Sequence, residues 1–247
     1  MKKISLLLLV ALLTSLIGCG KSSGSPSISF TSPPTMDKLK SYEGEIIKVR
    51  GFIATVSPLD GSLIYIMSAP FQSCPYCNTT STGISNTITI YPKAGETFTY
   101  TNQPVEVTGK LVFKEDTDVN GYVTEYHLQD GTFSIYSDKS NKELTAFSGL
   151  LDSGYTDKFE SALSQVYDSV NMTSGEPVKL DEALFDEIIE MSSDYDQPKE
   201  LAERGKELVK LINTTIDKNE VDFLPTLNEM GQALYDDFYA WLVSYEV

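Results

Sequence analysis

Cys74 and Cys77 stand three residues apart, with Pro75 and Tyr76 between them, inside the segment APFQSCPYCNTTSTG. That spacing suits three kinds of chemistry. It closes a local disulfide, which would staple a long connection in an oxidising compartment. It supplies two thiolates to a metal, and since zinc ordinarily takes four ligands, His127 and one carboxylate would have to complete the set. It also forms a dithiol able to exchange with other thiols. His127 is the single histidine of the chain. It lies in YVTEYHLQD, where strand alternation puts Glu125 and Gln129 on its face, and reads as an exposed strand residue unless the fold carries it to the cysteines. A third group is Asp116, Asp118 and Asn120, at alternate positions ahead of Gly121. Three oxygen side chains before a turning glycine can hold calcium where the ion is millimolar. The same residues also make a plain hairpin turn, because Asp, Asn and Gly tolerate its dihedrals.

Other chemistry finds less support. A Gly-rich phosphate loop, a serine elbow, a Cys-His nucleophile pair and a zincin motif are all missing from the sequence. With one histidine, most acid-base and nucleophilic schemes lose their usual base. Asp181, Glu182, Asp186, Glu187 and Glu190 lack the Glu-x-x-His pairs of a di-iron bundle and read as a solvated helix face. No cofactor is certain, and calcium and zinc are the two candidates.

The elements that must position these residues fall into two compositional halves. From Glu45 to Tyr136 the segments GEIIKVRGFIATV, SLIYIMSAP, NTITIYPK, QPVEVTGKLVFKE, GYVTEYHLQ and GTFSIYS are short, β-branched and aromatic, and are separated by Gly, Pro, Asn or Asp. From about Gly154 the period becomes helical. Phe159, Leu163, Val166 and Val170 form one stripe, and Leu184, Ile188 and Met191 another. Leu201, Leu208, Leu211 and Ile212 face inward on a third segment with Pro198 in its first turn. A fourth segment carries Leu227, Met230, Leu234, Phe238, Trp241 and Leu242 after Pro225. Its aromatic stripe, Tyr235, Phe238, Tyr239 and Trp241, suits core packing, with a binding surface as the alternative. Charge divides the chain similarly: residues 140–247 hold 23 of the 35 acidic residues and 8 of the 19 basic ones. That places a boundary near residues 138–152. The net charge of -16 argues against nucleic acid and anionic lipid as partners.

The first nineteen residues, MKKISLLLLVALLTSLIGC, join Lys2 and Lys3 to an apolar run and a cysteine preceded by Leu16-Ile17-Gly18. They resemble the signal peptide and lipobox of a bacterial lipoprotein. The resemblance implies cleavage before Cys19, lipid on its thiol and a chain tethered outside the cytoplasm. It leaves Cys74 and Cys77 as the only thiols of the mature protein. In that family Gly20, not being aspartate, points to an outer-membrane inner face or a monoderm surface. The tetrapeptide Cys-Pro-Tyr-Cys is similar to the active site of glutaredoxins, although the pattern around it is all strand and not thioredoxin-like. Asp116, Asp118 and Asn120 with Gly121 resemble the first half of an EF-hand loop, with His127 standing where the twelfth-position glutamate belongs. The strand order GEIIKVRGFIA, then PVEVTGKLVF, resembles extracytoplasmic proteins built on an OB-fold-like barrel, and such barrels bind through one face and two loops.

The expected fold class is therefore α+β: an N-terminal OB-like antiparallel β-barrel followed by a C-terminal α-helical bundle. The expected divisions are a signal peptide at 1–18, a flexible lipid-anchored tether at 19–36, the β-domain at 37–139 and an acidic four-helix domain at 150–247. The expected function is a lipid-anchored, extracytoplasmic, non-enzymatic binding or accessory protein, held to the membrane by its N-terminal lipid. It would serve another envelope protein or a small ligand. The alternative is a thiol-dependent envelope protein using Cys74 and Cys77 for disulfide exchange or metal delivery.

Overall fold

The computed structural model describes residues 24–72, 74–77, 79–171 and 176–245. The signal segment, Cys19 and the start of the tether lie outside the described residues. The strands are β1 (Ser27–Ile28), β2 (Ile46–Ile53), β3 (Ile64–Met67), β4 (Thr87–Pro92), β5 (Val105–Thr117) and β6 (Val123–Ile135). A short helix α1 (Met36–Lys40) precedes β2. Helices α2 (Lys142–Ser153), α3 (Tyr155–Val170), α4 (Asp186–Met191), α5 (Asp196–Asp217) and α6 (Leu224–Leu242) follow β6.

The expected antiparallel barrel gives way to a mixed sheet. Its six strands run in the order β1-β2-β3-β4-β6-β5, with a further pairing of β2 to β5, and two of the pairings are parallel: β1 with β2 and β4 with β6. The fold is thus mixed α/β, a six-stranded sheet in the middle of the chain with helices mostly after it. Alternation shows that a segment is a strand but says nothing of its neighbour's direction. Here β5 and β6 form a long hairpin that brings β6 back alongside β4 in the same sense. The segments read as GYVTEYHLQ and GTFSIYS are one strand, continuous through Asp130 and Gly131. Asp130 absorbs the break with a φ of 53°. At Gly131 a Cβ would lie 2.3 Å from Ile90 Cγ2, so only glycine lets β4 approach there.

β1 falls within the stretch read as tether. Ile28 and Phe30, the apolar residues among its serines and prolines, are buried in the sheet core beside Ile47, Val49, Val107 and Leu128. The helices after β6 number five among the described residues, against four expected. The additional one, α2, is capped by Asn141, whose side chain accepts from the Leu144 amide. It ends at Gly154, whose left-handed φ of 81° also starts α3 with no intervening linker.

The helical core is strongly aromatic. Phe159 and Phe238 stack at 4.2 Å, Phe185 meets Phe159 edge-on at 5.6 Å, and Tyr155 lies between Phe159 and Trp241. Each such buried ring contributes roughly 2 kcal/mol. The stripe on α6 splits: Phe238 and Trp241 are buried, whereas Tyr235 is exposed and stacks on Tyr239 at the surface. Met230, on the same segment, is exposed. Phe52 of β2 leaves the sheet core and joins the helical one, edge-on to Phe147 at 6.3 Å. No helix among the described residues is long and apolar enough to cross a membrane.

Candidate functional site

Cys74 and Cys77 lie on the connection between β3 and β4 and are bonded to one another, their Cα atoms 5.6 Å apart. Both half-cystines are exposed, whereas Pro75 between them is buried. Tyr76 takes a φ of 63°, unusual for a residue with a side chain. It is held there from both ends. Its amide donates to Thr87 Oγ1 at 3.2 Å, and its hydroxyl shares a short hydrogen bond with Thr89 Oγ1. Farther back on the same connection, Phe71 O accepts from the Tyr239 hydroxyl of α6 at 2.9 Å.

The Tyr76 ring enters a cluster of tyrosines. It meets Tyr65 of β3 edge-on at 6.3 Å and Tyr122 at 5.9 Å, and Tyr65 meets Tyr122 at 5.6 Å. These rings, with Tyr91 of β4, pack on Ala54, Leu63 and Met67, a small apolar layer separate from the main sheet core. Tyr65 is fully buried and donates to Asp118 Oδ2 at 2.7 Å. The other carboxylate oxygen, Oδ1, accepts from the amides of Asn120 at 2.9 Å and Tyr122 at 3.1 Å. Asn120 Nδ2 donates to the Tyr65 hydroxyl and to Val56 O. Asp116 accepts from the Tyr91 hydroxyl at 3.2 Å.

Asp118, Asn120 and Gly121 therefore form the β5–β6 turn, with Asp118 acting as its internal acceptor and Gly121 at a φ of 83°, while Asp116 lies within β5 opposite Thr124. Both Asp118 oxygens are occupied by protein donors, and the Asn120 amide is a donor. Among the described residues no three His, Cys, Asp or Glu side chains gather so as to hold a metal, and that includes Cys74, Cys77 and His127. The expectation of an exposed His127 is corrected: the residue is 2% exposed. β6 has neighbours on both edges at this point, Thr89 on β4 and Val112 on β5, and the Tyr91 ring covers His127 edge-on at 5.2 Å. Gln129 Nε2 donates to His127 Nε2 at 3.2 Å, and Nδ1 finds no partner. Burial lowers the pKa of His127, partly opposed by the charge of Asp116.

Burial also governs the phenols. The pKa of Tyr65 is raised first by burial and then by its hydrogen bond to Asp118, and that of Tyr91 by burial and the charge of Asp116. Burial likewise raises Tyr76. All three phenols are neutral at physiological pH, and Tyr65 and Tyr91 donate to Asp118 and Asp116. The face can stack and hydrogen-bond, and a neutral phenol is a poor general base there. No single sequence signal marks this cluster, because its members come from β3, the disulfide connection, β4 and the β5–β6 turn. A second cluster also went unread: Glu106 of β5 accepts from Lys48 Nζ at 2.5 Å and Arg50 Nε at 3.0 Å on β2, and Arg50 lies over Tyr136. The hydrogen bond from Lys48, ahead of that from Arg50, lowers the pKa of Glu106.

No protein-family model and no curated protein matches this chain. Among solved structures, the crystal structure of a DUF3299 family protein from Pseudomonas aeruginosa is similar at 16% identity. The likeness covers 53% of this chain and 81% of that one, with a TM-score of 0.28.

Proposed function

We propose that the protein is a lipid-anchored extracytoplasmic binding or accessory protein, non-enzymatic, that serves an envelope complex or a small ligand. The observation that most supports this reading is the bonded Cys74–Cys77 pair, which buttresses the tyrosine face through Tyr76. Disulfides persist in oxidising compartments outside the cytoplasm, where the Leu16-Ile17-Gly18-Cys19 sequence would send the chain. The pair then serves as a staple, and the neutral, aromatic, hydrogen-bonding face around it is a surface suited to recognition.

The test has two arms in the native host. Cys19→Ala should abolish labelling by radioactive palmitate and release the protein from the membrane fraction. Cys74→Ser with Cys77→Ser should lower stability and leave envelope thiol status and metal tolerance unchanged. A Cys19→Ala protein that stays labelled and membrane-bound would overturn the anchor. The exposure of both half-cystine residues supports the second reading, disulfide exchange, which needs a thiolate to reach one of the sulfurs. A shift in envelope thiol status in the double variant, with folding intact, would select it.

A further inference from the structure

Three glycines, Gly149, Gly205 and Gly231, sit inside the helices of the carboxyl-terminal half, and the surroundings of the last two differ sharply. At Gly205 of α5 a Cβ would fall 2.4 Å from the Phe185 ring, so packing demands glycine. At Gly231 of α6 the nearest atom would be Val166 Cγ1 at 3.5 Å, an ordinary contact. Alanine fits at Gly231, and a glycine inside a helix costs about 1 kcal/mol relative to alanine. What the missing side chain does leave is open space, a groove of about 370 Å³ between α3 and α6. Leu163 and Val166 line it with Gly231, Tyr167 and Tyr235 border it, and Glu160 stands at its edge.

Size and charge together narrow what the groove would take. Its volume lies at the lower end of small-molecule sites, too small for a folded partner. Its lining is mostly apolar, with Ser164, Asn228 and Gln232 contributing polar groups, and two exposed tyrosine rings flank it. Among the described residues neither Glu160 nor its neighbour Asp157 has an ion-pair partner, while the adjacent Lys158 is paired with Glu187. Glu160 is exposed, and partial desolvation, then the charge of Asp157, raise the pKa of its carboxyl; a cation arriving there offsets the repulsion between the two carboxylates. Tyrosine faces attract cations as well.

We propose that the α3–α6 groove binds a small organic ammonium, its apolar body on Leu163, Val166 and Gly231 and its charge against Glu160. The site is separate from the tyrosine face and does not depend on lipid anchoring, so its failure leaves the proposed function untouched. Calorimetry on the full chain tests it with phenethylamine and its neutral analogue 2-phenylethanol. The amine should bind about tenfold more tightly than the alcohol. Glu160→Gln, at an exposed position, should remove that advantage and leave the alcohol unchanged, while Gly231→Leu should abolish binding of both. Circular dichroism would verify that each variant is folded, and Gly231→Ala serves as the replacement if Gly231→Leu fails to fold, with weakened binding of both compounds expected. Equal binding of amine and alcohol, absence of amine binding, or an undiminished amine affinity in folded Glu160→Gln would each overturn the proposal.

Discussion

Reducing the Cys74–Cys77 bond should weaken the protein without unseating Tyr76. A four-residue loop closed by a disulfide removes about 2 kcal/mol of chain entropy from the unfolded state at 25 °C. Breaking the bond restores that entropy. The folded loop then has a choice, because Tyr76 occupies a left-handed conformation that costs about 1–2 kcal/mol. Staying seated keeps two hydrogen bonds, to Thr87 and Thr89, of about 1 kcal/mol each. It also keeps ring contacts to Tyr65 and Tyr122, worth about 0.5–1.5 kcal/mol each. The contacts outweigh the strain, so the reduced loop keeps its place. Urea unfolding followed by near-ultraviolet circular dichroism should show a loss of about 2 kcal/mol on reduction and in Cys74→Ser/Cys77→Ser alike. The melting temperature should fall by about 4–8 °C. The tyrosine signal of the folded protein should not change. A loss below about 0.5 kcal/mol, or a collapsed tyrosine signal in folded reduced protein, would refute the reasoning.

Gly205 and Gly231 should respond oppositely to alanine: Gly205→Ala destabilises by about 1–2 kcal/mol, overpacking against Phe185 exceeding the gain in helix propensity, and Phe185→Leu recovers part of it. Gly231→Ala stabilises by up to about 1 kcal/mol, and chemical denaturation compares the pair. His127 carries a lowered pKa in the folded state, so its contribution is complete above about pH 6.5 and is lost as pH falls toward the folded value, where only the unfolded chain takes up the proton. The wild type should lose stability across that window by at most about 1.4 kcal/mol per pH unit, and His127→Gln should flatten the slope. A calcium titration should give no heat at millimolar ion, since both Asp118 oxygens already accept from Tyr65, Asn120 and Tyr122; a binding isotherm abolished by Asp118→Ala would revive the calcium loop.

The strands of the sheet were legible because alternation and turn residues are local properties. Ile47 and Val49 alternate with Lys48 and Arg50, and that alternation survives folding. Direction and continuity were not legible, since β4 meets β6 in parallel through a hairpin formed far along the chain. Asp130-Gly131 reads as a turn yet acts as a kink within one strand. Helix α2 was legible but unread: Asn141 and Gly154 bracket Leu144, Phe147, Leu150 and Leu151 at helical spacing. The burial of His127 was beyond reach, because a strand paired on both edges and roofed by Tyr91 hides residues that alternation would expose. The tyrosine face was invisible for the same reason, being assembled from segments up to 57 residues apart, from Tyr65 to Tyr122.

Phe52 gives the compositional boundary a mechanical meaning. Its backbone belongs to β2, but its ring is part of the core made by the helices, and Gln103 Nε2 reaches the Ser148 carbonyl across the same seam. A cut between β6 and α2 would leave one fragment with a bare aromatic and an idle amide, and the other with the hollow that fits them. Two such pieces carry the instructions for finding each other, so the seam acts as a recognition surface within a single chain.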